Sequence, residues 1–224
     1  MSRTPTTVAV PLMLLAAQLG AGWALAEADL GDAVLEDVVE VVVIDRDVTA
    51  FGAEGSGRIR LRLDEGETVY WTGARGRVGV AITSKRLLGV APGTSSWREA
   101  PLRLAESVPE RAWIGGRVAL VLTEQRALAF DSRNGRWVEN GIGPGETLVA
   151  IRVGQSTGLV VTNRRALGFS ANAGKFFEIP LRIHERLEDF SAGSQVATIT
   201  TSQRVLVFRS PTGAWGVAQR DINP

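Results

Sequence analysis

An all-β fold of five similar units, each a small four-stranded sheet, follows from three features of this sequence. The segments ending at Val90, Phe130, Phe169 and Phe208 repeat one another: "VAITSKRLLGV", "LVLTEQRALAF", "LVVTNRRALGF" and "TITTSQRVLVF". Each repeat interval holds four short β-type runs separated by tight polar or glycine turns. No long stripe of 3.6-residue period occurs, which removes helical repeats of comparable length. Four-stranded units recurring about every 40 residues are the pattern of β-propeller blades, so the expected architecture is a five-bladed β-propeller.

The period is set by columns. Thr83, Thr123, Thr162 and Thr201 are spaced by 40, 39 and 39 residues. Three residues after each stands Arg86, Arg126, Arg165 or Arg204, followed by Leu88, Leu128, Leu167 or Leu206. Val90, Phe130, Phe169 and Phe208 come next, and Trp97, Trp137, Phe176 and Trp215 lie seven residues further on. Upstream, Glu67, Glu106, Glu146 and Glu185 precede their threonines by 16 or 17 residues.

Taken in chain order, residues 1–26 read as a secretory signal peptide. Arg3 is the one charge, an apolar run covers Val8 to Ala17, and Ala24-Leu25-Ala26 supplies small residues for cleavage. Cleavage after Ala26 leaves Glu27 first and gives a periplasmic or secreted protein with no membrane span; an uncleaved anchor is the alternative. The remainder divides into units at approximately 27–66, 67–105, 106–145, 146–184 and 185–224. The first is degenerate: "VVVIDRDVTAF" keeps strand, turn and strand, but Ile44 and Asp47 replace threonine and arginine. The fourth shows the plan plainly: "GETLVAIRV", "GLVVTN", "ALGFS" and "KFFEIPL" are its strands, with turns at "GQST", "NRR" and "ANAG". A blade alone cannot bury both faces, so the Leu, Phe and Trp columns are expected to pack blade on blade.

Bulk properties narrow the partners. Removing the first 26 of 224 residues leaves 198, with 24 basic and 24 acidic side chains. Zero net charge argues against broad attraction to nucleic acid or anionic lipid. There is no cysteine, so disulfides, thiol chemistry and lipid attachment through cysteine are absent. A chain of this size buries an adequate core without staples.

"AFDSRNGRW" (Ala129 to Trp137) resembles the Asp-x-x-x-Gly…Trp turn of quinoprotein-type, PQQ-like propeller blades, and "FRSPTGAW" (Phe208 to Trp215) is similar without the aspartate. That resemblance implies the blade only; a bound quinone is not implied. Thr-x-x-Arg-x-Leu also resembles the strand–turn–strand of bacterial pleckstrin-homology-like domains. Those finish in a helix, for which units of this length have no room.

An antiparallel hairpin brings the glutamate and the Thr-x-x-Arg of one unit to one end of the sheet. Glu67 and Arg86, or Glu146 and Arg165, are therefore placed to pair; alternatively the arginines reach the next blade. These columns read as structural, with four arginines at one mouth as the functional alternative. His184 stands alone and has no identifiable companions for a metal site. The turns are short, and neither "EGSG" nor "GARGRVG" opens a helix as a phosphate loop would. No cofactor and no enzyme activity are expected. In "GRIRLRL", Arg58, Arg60 and Arg62 alternate with Ile59, Leu61 and Leu63, which puts three guanidinium groups on one strand face. They either protect an edge strand or form a docking strip for an acidic partner. The expected function is a binding or scaffold propeller engaging another exported or membrane protein. The alternative is a lectin-like module binding envelope glycans, with Trp97, Trp137 and Trp215 as stacking surfaces.

Overall fold

A computed structural model describes residues 38–53 and 57–220. The chain divides into residues 1–30 and residues 31–224, and all the described strands belong to the second unit. The signal-peptide reading and the start of the first blade fall outside the described residues. Among the described residues, no helix is long and apolar enough to cross a membrane.

Five antiparallel sheets follow one another along the chain. The first holds β1 (Val39–Ile44), β2 (Asp47–Gly52) and β3 (Arg58–Arg62), in that order. The second holds β4 (Val69–Arg75), β5 (Val78–Thr83), β6 (Arg86–Val90) and β7 (Arg98–Pro101). The third holds β8 (Trp113–Ile114), β9 (Val118–Leu122), β10 (Arg126–Asp131) and β11 (Arg136–Gly141). The fourth holds β12 (Leu148–Val153), β13 (Thr157–Thr162), β14 (Arg165–Ser170) and β15 (Lys175–Pro180). The fifth holds β16 (Leu187–Ala192), β17 (Val196–Thr201), β18 (Arg204–Arg209) and β19 (Ala214–Gln219). These are the blades of a five-bladed β-propeller, each with four strands among the described residues except the first, which has three. Every described sheet is built from consecutive strands, so none mixes the two ends of the chain.

The two middle strands of the second, third and fourth sheets read as continuous apolar runs because both their faces are covered. One apolar layer lies between each consecutive pair of sheets. Between the third and fourth, Leu120 and Ala129 meet Val160, Leu167 and Phe169. Between the fourth and fifth, Leu159, Val161 and Ala166 meet Ile199, Leu206 and Phe208. The phenylalanine of one sheet presses on the backbone of the sheet before it: a Cβ on Gly168 would lie 2.5 Å from the Phe208 ring. Glycine there is a packing requirement.

The tryptophan column ties the outer strands. The indole of Trp97 donates to the Ile59 carbonyl at 3.1 Å and that of Trp215 to the Phe177 carbonyl at 3.1 Å, each in the preceding sheet. Hairpins joining first to second strands also bond sheet to sheet. Arg77 N–H donates to Gly116 O (2.8 Å), Arg117 N–H to Gln155 O (2.7 Å) and Ser156 N–H to Ser194 O (2.8 Å). At these hairpins a side chain on Gly154 would overlap the Gly193 carbonyl.

The fifth sheet differs on its far face. Thr198, Thr200, Val205 and Val207 occupy the columns of Leu159, Val161, Ala166 and Gly168, and they are only half-buried.

Candidate functional site

A repeat makes its structural contacts over and over, whereas an irregularity needs its own explanation. Within the four-stranded sheets, the largest irregularity is in the third. Its first strand, β8, has two residues, against seven, six and six in β4, β12 and β16. The cause lies just before it. Glu106 precedes Thr123 by 17 residues, one more than the 16 of the other three units, and Pro109, which lacks a backbone N–H, sits in the interval. Residues 107–112 therefore leave the sheet, and pairing begins only at Trp113 with Leu120.

The space vacated is a cavity of about 540 Å³ between the third and fourth sheets. Trp113, Leu122, Val108, Ile142 and Leu148 give it apolar walls. Leu148 on β12 is 48% exposed, while Ala150 and Ile151 further along the strand are buried; Val149, skipped in the register between Leu148 and Ala150, is exposed beside it. Glu110, Arg111 and Glu124 stand at the rim. The Arg111 guanidinium lies 4.9 Å from the Trp113 ring centroid, a cation–π contact that orients both. Glu124 accepts hydrogen bonds from the Ser107 hydroxyl and its N–H, and the hydroxyl bond is the main influence holding its carboxyl below the usual range. The site thus combines an apolar recess with fixed charges at its mouth. It is suited to holding an apolar group next to a polar or cationic one.

The glutamate, threonine and arginine columns form one motif, built four times. Glu67 accepts from the Thr83 hydroxyl (2.6 Å), from Arg86 Nε (2.9 Å) and from Arg86 Nη2 (2.7 Å). Thr83 Oγ1 in turn accepts from the N–H of Lys85 and of Arg86, closing the hairpin turn. The same set recurs on Glu106–Thr123–Arg126, Glu146–Thr162–Arg165 and Glu185–Thr201–Arg204. The arginines also reach the preceding sheet. Arg126 donates to Pro101 O (2.6 Å), Arg165 to Gly141 O (2.5 Å) and Arg204 to Pro180 O (2.7 Å). They pair within the unit and tie it to its neighbour with the same guanidinium.

The electrostatics follow from that geometry. Burial works against the charge of Glu106, but hydrogen bonds from Arg126, the Arg103 N–H and Thr123, with the Arg126 charge, prevail and hold its carboxyl at about 2. Glu146 is likewise held at about 2 against burial, by Arg165, the Gly143 N–H and Thr162. Glu67 and Glu185 are lowered in the same way. These carboxylates are committed to structure and are poor candidates for proton transfer.

On β3, Arg58, Arg60 and Arg62 are exposed while Ile59 and Leu61 turn toward the second sheet. Arg60 is bound to Asp47 at 2.5 Å, which leaves Arg58 and Arg62 as the more open charges of the strip. The cavity is far along the chain from this strip, in other sheets. His184 lies in the turn before β16 with a φ of 64°. Among the described residues, no group of three or more His, Cys, Asp or Glu is placed to hold a metal ion.

No protein-family model matches the sequence, and neither does any curated protein. Solved structures of β-propeller-like proteins do resemble the fold. HIRA(644-1017) is 13% identical with a TM-score of 0.39, the match covering 83% of this chain and 60% of that one. AztD from Citrobacter koseri is 10% identical with a TM-score of 0.40, covering 82% and 60%. PorZ, a surface component of the type-IX secretion system of Porphyromonas gingivalis, is 11% identical with a TM-score of 0.36, covering 84% and 26%. The chain spans about 60% of the length of the first two.

Of the residues singled out by sequence, the structure brings together the glutamate, threonine and arginine columns, one set per sheet. It does not bring Arg58, Arg60 and Arg62 to the cavity. Sequence reasoning passed over Glu110, Arg111, Trp113 and Leu148. The signals that point to them are the single extra residue after Glu106 and the proline at 109.

Proposed function

We propose that this protein is an exported, non-enzymatic binding propeller that engages another protein through the cavity between its third and fourth sheets. The observation that carries this reading is the exposed Leu148 lining a recess found where the repeat is broken. Repeated features are accounted for by blade packing, and the irregular one is left for function. The four buried carboxylates are tied to arginine and threonine, which supports binding in place of acid–base chemistry. Arg58 and Arg62 offer a second, electropositive contact for an acidic region of the same partner.

A photo-crosslinking amino acid placed at Leu148 in the native cells tests the site. One stoichiometric protein adduct, lost on Leu148→Arg, supports it; no adduct, or one unchanged by Leu148→Arg, overturns it. Neutralising Arg58, Arg60 and Arg62 together weakens the same adduct if the strip contributes.

The alternative is an envelope-glycan module. The indole N–H groups of Trp97, Trp137 and Trp215 donate to carbonyls of neighbouring sheets. A sugar would therefore stack on Trp113 at the cavity. Glycan-array binding that is abolished by Trp113→Ala favours this second reading.

A further inference from the structure

The cavity is bordered by an open strand edge. Antiparallel pairs alternate between those that exchange hydrogen bonds and those that do not. In the third sheet, Gly115 N–H donates to Val118 O at 2.8 Å, and Trp113 lies opposite Leu120. The next pair in that register to exchange hydrogen bonds is Arg111 with Leu122, and the pairing stops before it. The residues in Leu122's column elsewhere are covered: Ile82 pairs with Trp71, Val161 with Ala150 and Thr200 with Asp189. Leu122 alone of these four presents its backbone N–H and C=O toward a cavity, where no strand lies among the described residues.

We infer that this edge takes an extended peptide segment of the partner, which continues the interrupted strand β8 and places one apolar side chain in the recess with a lysine or arginine beside it. The inference rests on the protein-binding reading above and specifies its ligand. Three observations converge on it. The free backbone of Leu122 supplies the strand-pairing groups. Trp113, Leu122 and Leu148 line a recess large enough for an apolar side chain. At the rim, Arg111 lies on the Trp113 ring and Glu124 is held by Ser107, so the exposed carboxylate of Glu110 is the open charge, and it complements a cation.

Selection of a phage-displayed library of random nonapeptides against the immobilised protein tests this directly. Enriched peptides are expected to alternate apolar with other residues and to carry lysine or arginine next to one apolar position. Their synthetic versions should lose at least about tenfold in affinity against Leu148→Arg and against Leu122→Pro, which removes the N–H donor. Glu110→Lys should weaken the basic peptide and improve one in which glutamate replaces the cation. Unchanged far-UV circular dichroism and melting of each variant separate lost binding from lost folding.

Failure to enrich any alternating basic motif overturns the inference, as does binding indifferent to Leu122→Pro and Leu148→Arg. If the cellular crosslink at Leu148 persists while the peptides fail, the site stands and the extended-segment ligand falls. If a glycan signal dependent on Trp113 appears and no peptide is enriched, both the inference and the protein-binding reading fall.

Discussion

The indole nitrogen of Trp137 donates to the carbonyl oxygen of Arg98, 39 residues earlier, at 3.0 Å. That separation is one repeat period, so the bond joins equivalent strands of neighbouring sheets, β11 and β7. Replacing Trp137 with phenylalanine keeps the ring contact with Phe130 and removes the donor. A loss of about 1 kcal/mol in urea unfolding is expected, the net worth of one hydrogen bond. No change in the urea midpoint would show that the bond contributes nothing and that ring burial alone holds the column.

Arg126 is the most enclosed of the four arginines, bound to Glu106 and Glu139 and to the Pro101 carbonyl. Arg126→Ala leaves the Glu106 carboxylate enclosed without its cation. A destabilisation of about 3 kcal/mol or more is expected, because breaking one side of a buried pair strands the other. The double variant Arg126→Ala with Glu106→Gln should recover part of the loss. Equal melting temperatures for Arg126→Ala and the parent would remove the motif from the stability account.

Gly168 and Val207 occupy one column in the fourth and fifth sheets, yet opposite outcomes are expected. Gly168→Ala drives a Cβ to 2.5 Å from the Phe208 ring and should cost about 1–3 kcal/mol by overpacking. Val207→Ala lies on the half-buried far face of the fifth sheet and should change stability by less than about 1 kcal/mol. Similar costs at the two sites would mean that the far face of the fifth sheet is packed as tightly as the inner layers.

Acid sensitivity follows from the carboxylates. Glu106 and Glu146 are held at about 2 in the folded protein, below the ordinary 4.5. A depressed folded value contributes stability that is fully present above about pH 4.5 and is lost as pH falls toward 2. Glu67 and Glu185 act in the same direction. Melting temperature should be level above pH 5 and fall steeply below 4. Glu106→Gln should start lower at pH 7 and show a shallower fall; a slope identical to the parent's would assign the acid transition to other groups.

Much of the blade was legible in the linear chain. Alternating and continuous apolar runs mark strands, tight turns end them, and columns at a constant spacing show that one sheet is built repeatedly. The pairing of Glu146 with Arg165 was accessible as one of two readings, because an antiparallel hairpin brings those two ends together while spacing alone leaves the neighbouring blade as the alternative. Two features were not. Arginine contacts to Pro101, Gly141 and Pro180 cross from one sheet to the next, and column spacing does not distinguish a guanidinium that serves its own sheet from one that serves two. Likewise, the recess beside Trp113 depends on Leu148 of a different sheet. Pro109 and the extra residue after Glu106 announce an interruption without saying what faces it.

From the order of residues alone come the repeat length, the four-strand plan of a blade and the placement of each glutamate and Thr-x-x-Arg at one end of its sheet, because all three are governed by local spacing and by the two-residue alternation of a strand. Tertiary structure alone decides which faces meet, where a neighbouring ring requires glycine, and where a missing strand leaves a recess. Those depend on distances between sheets, which come from packing and have no counterpart along the chain.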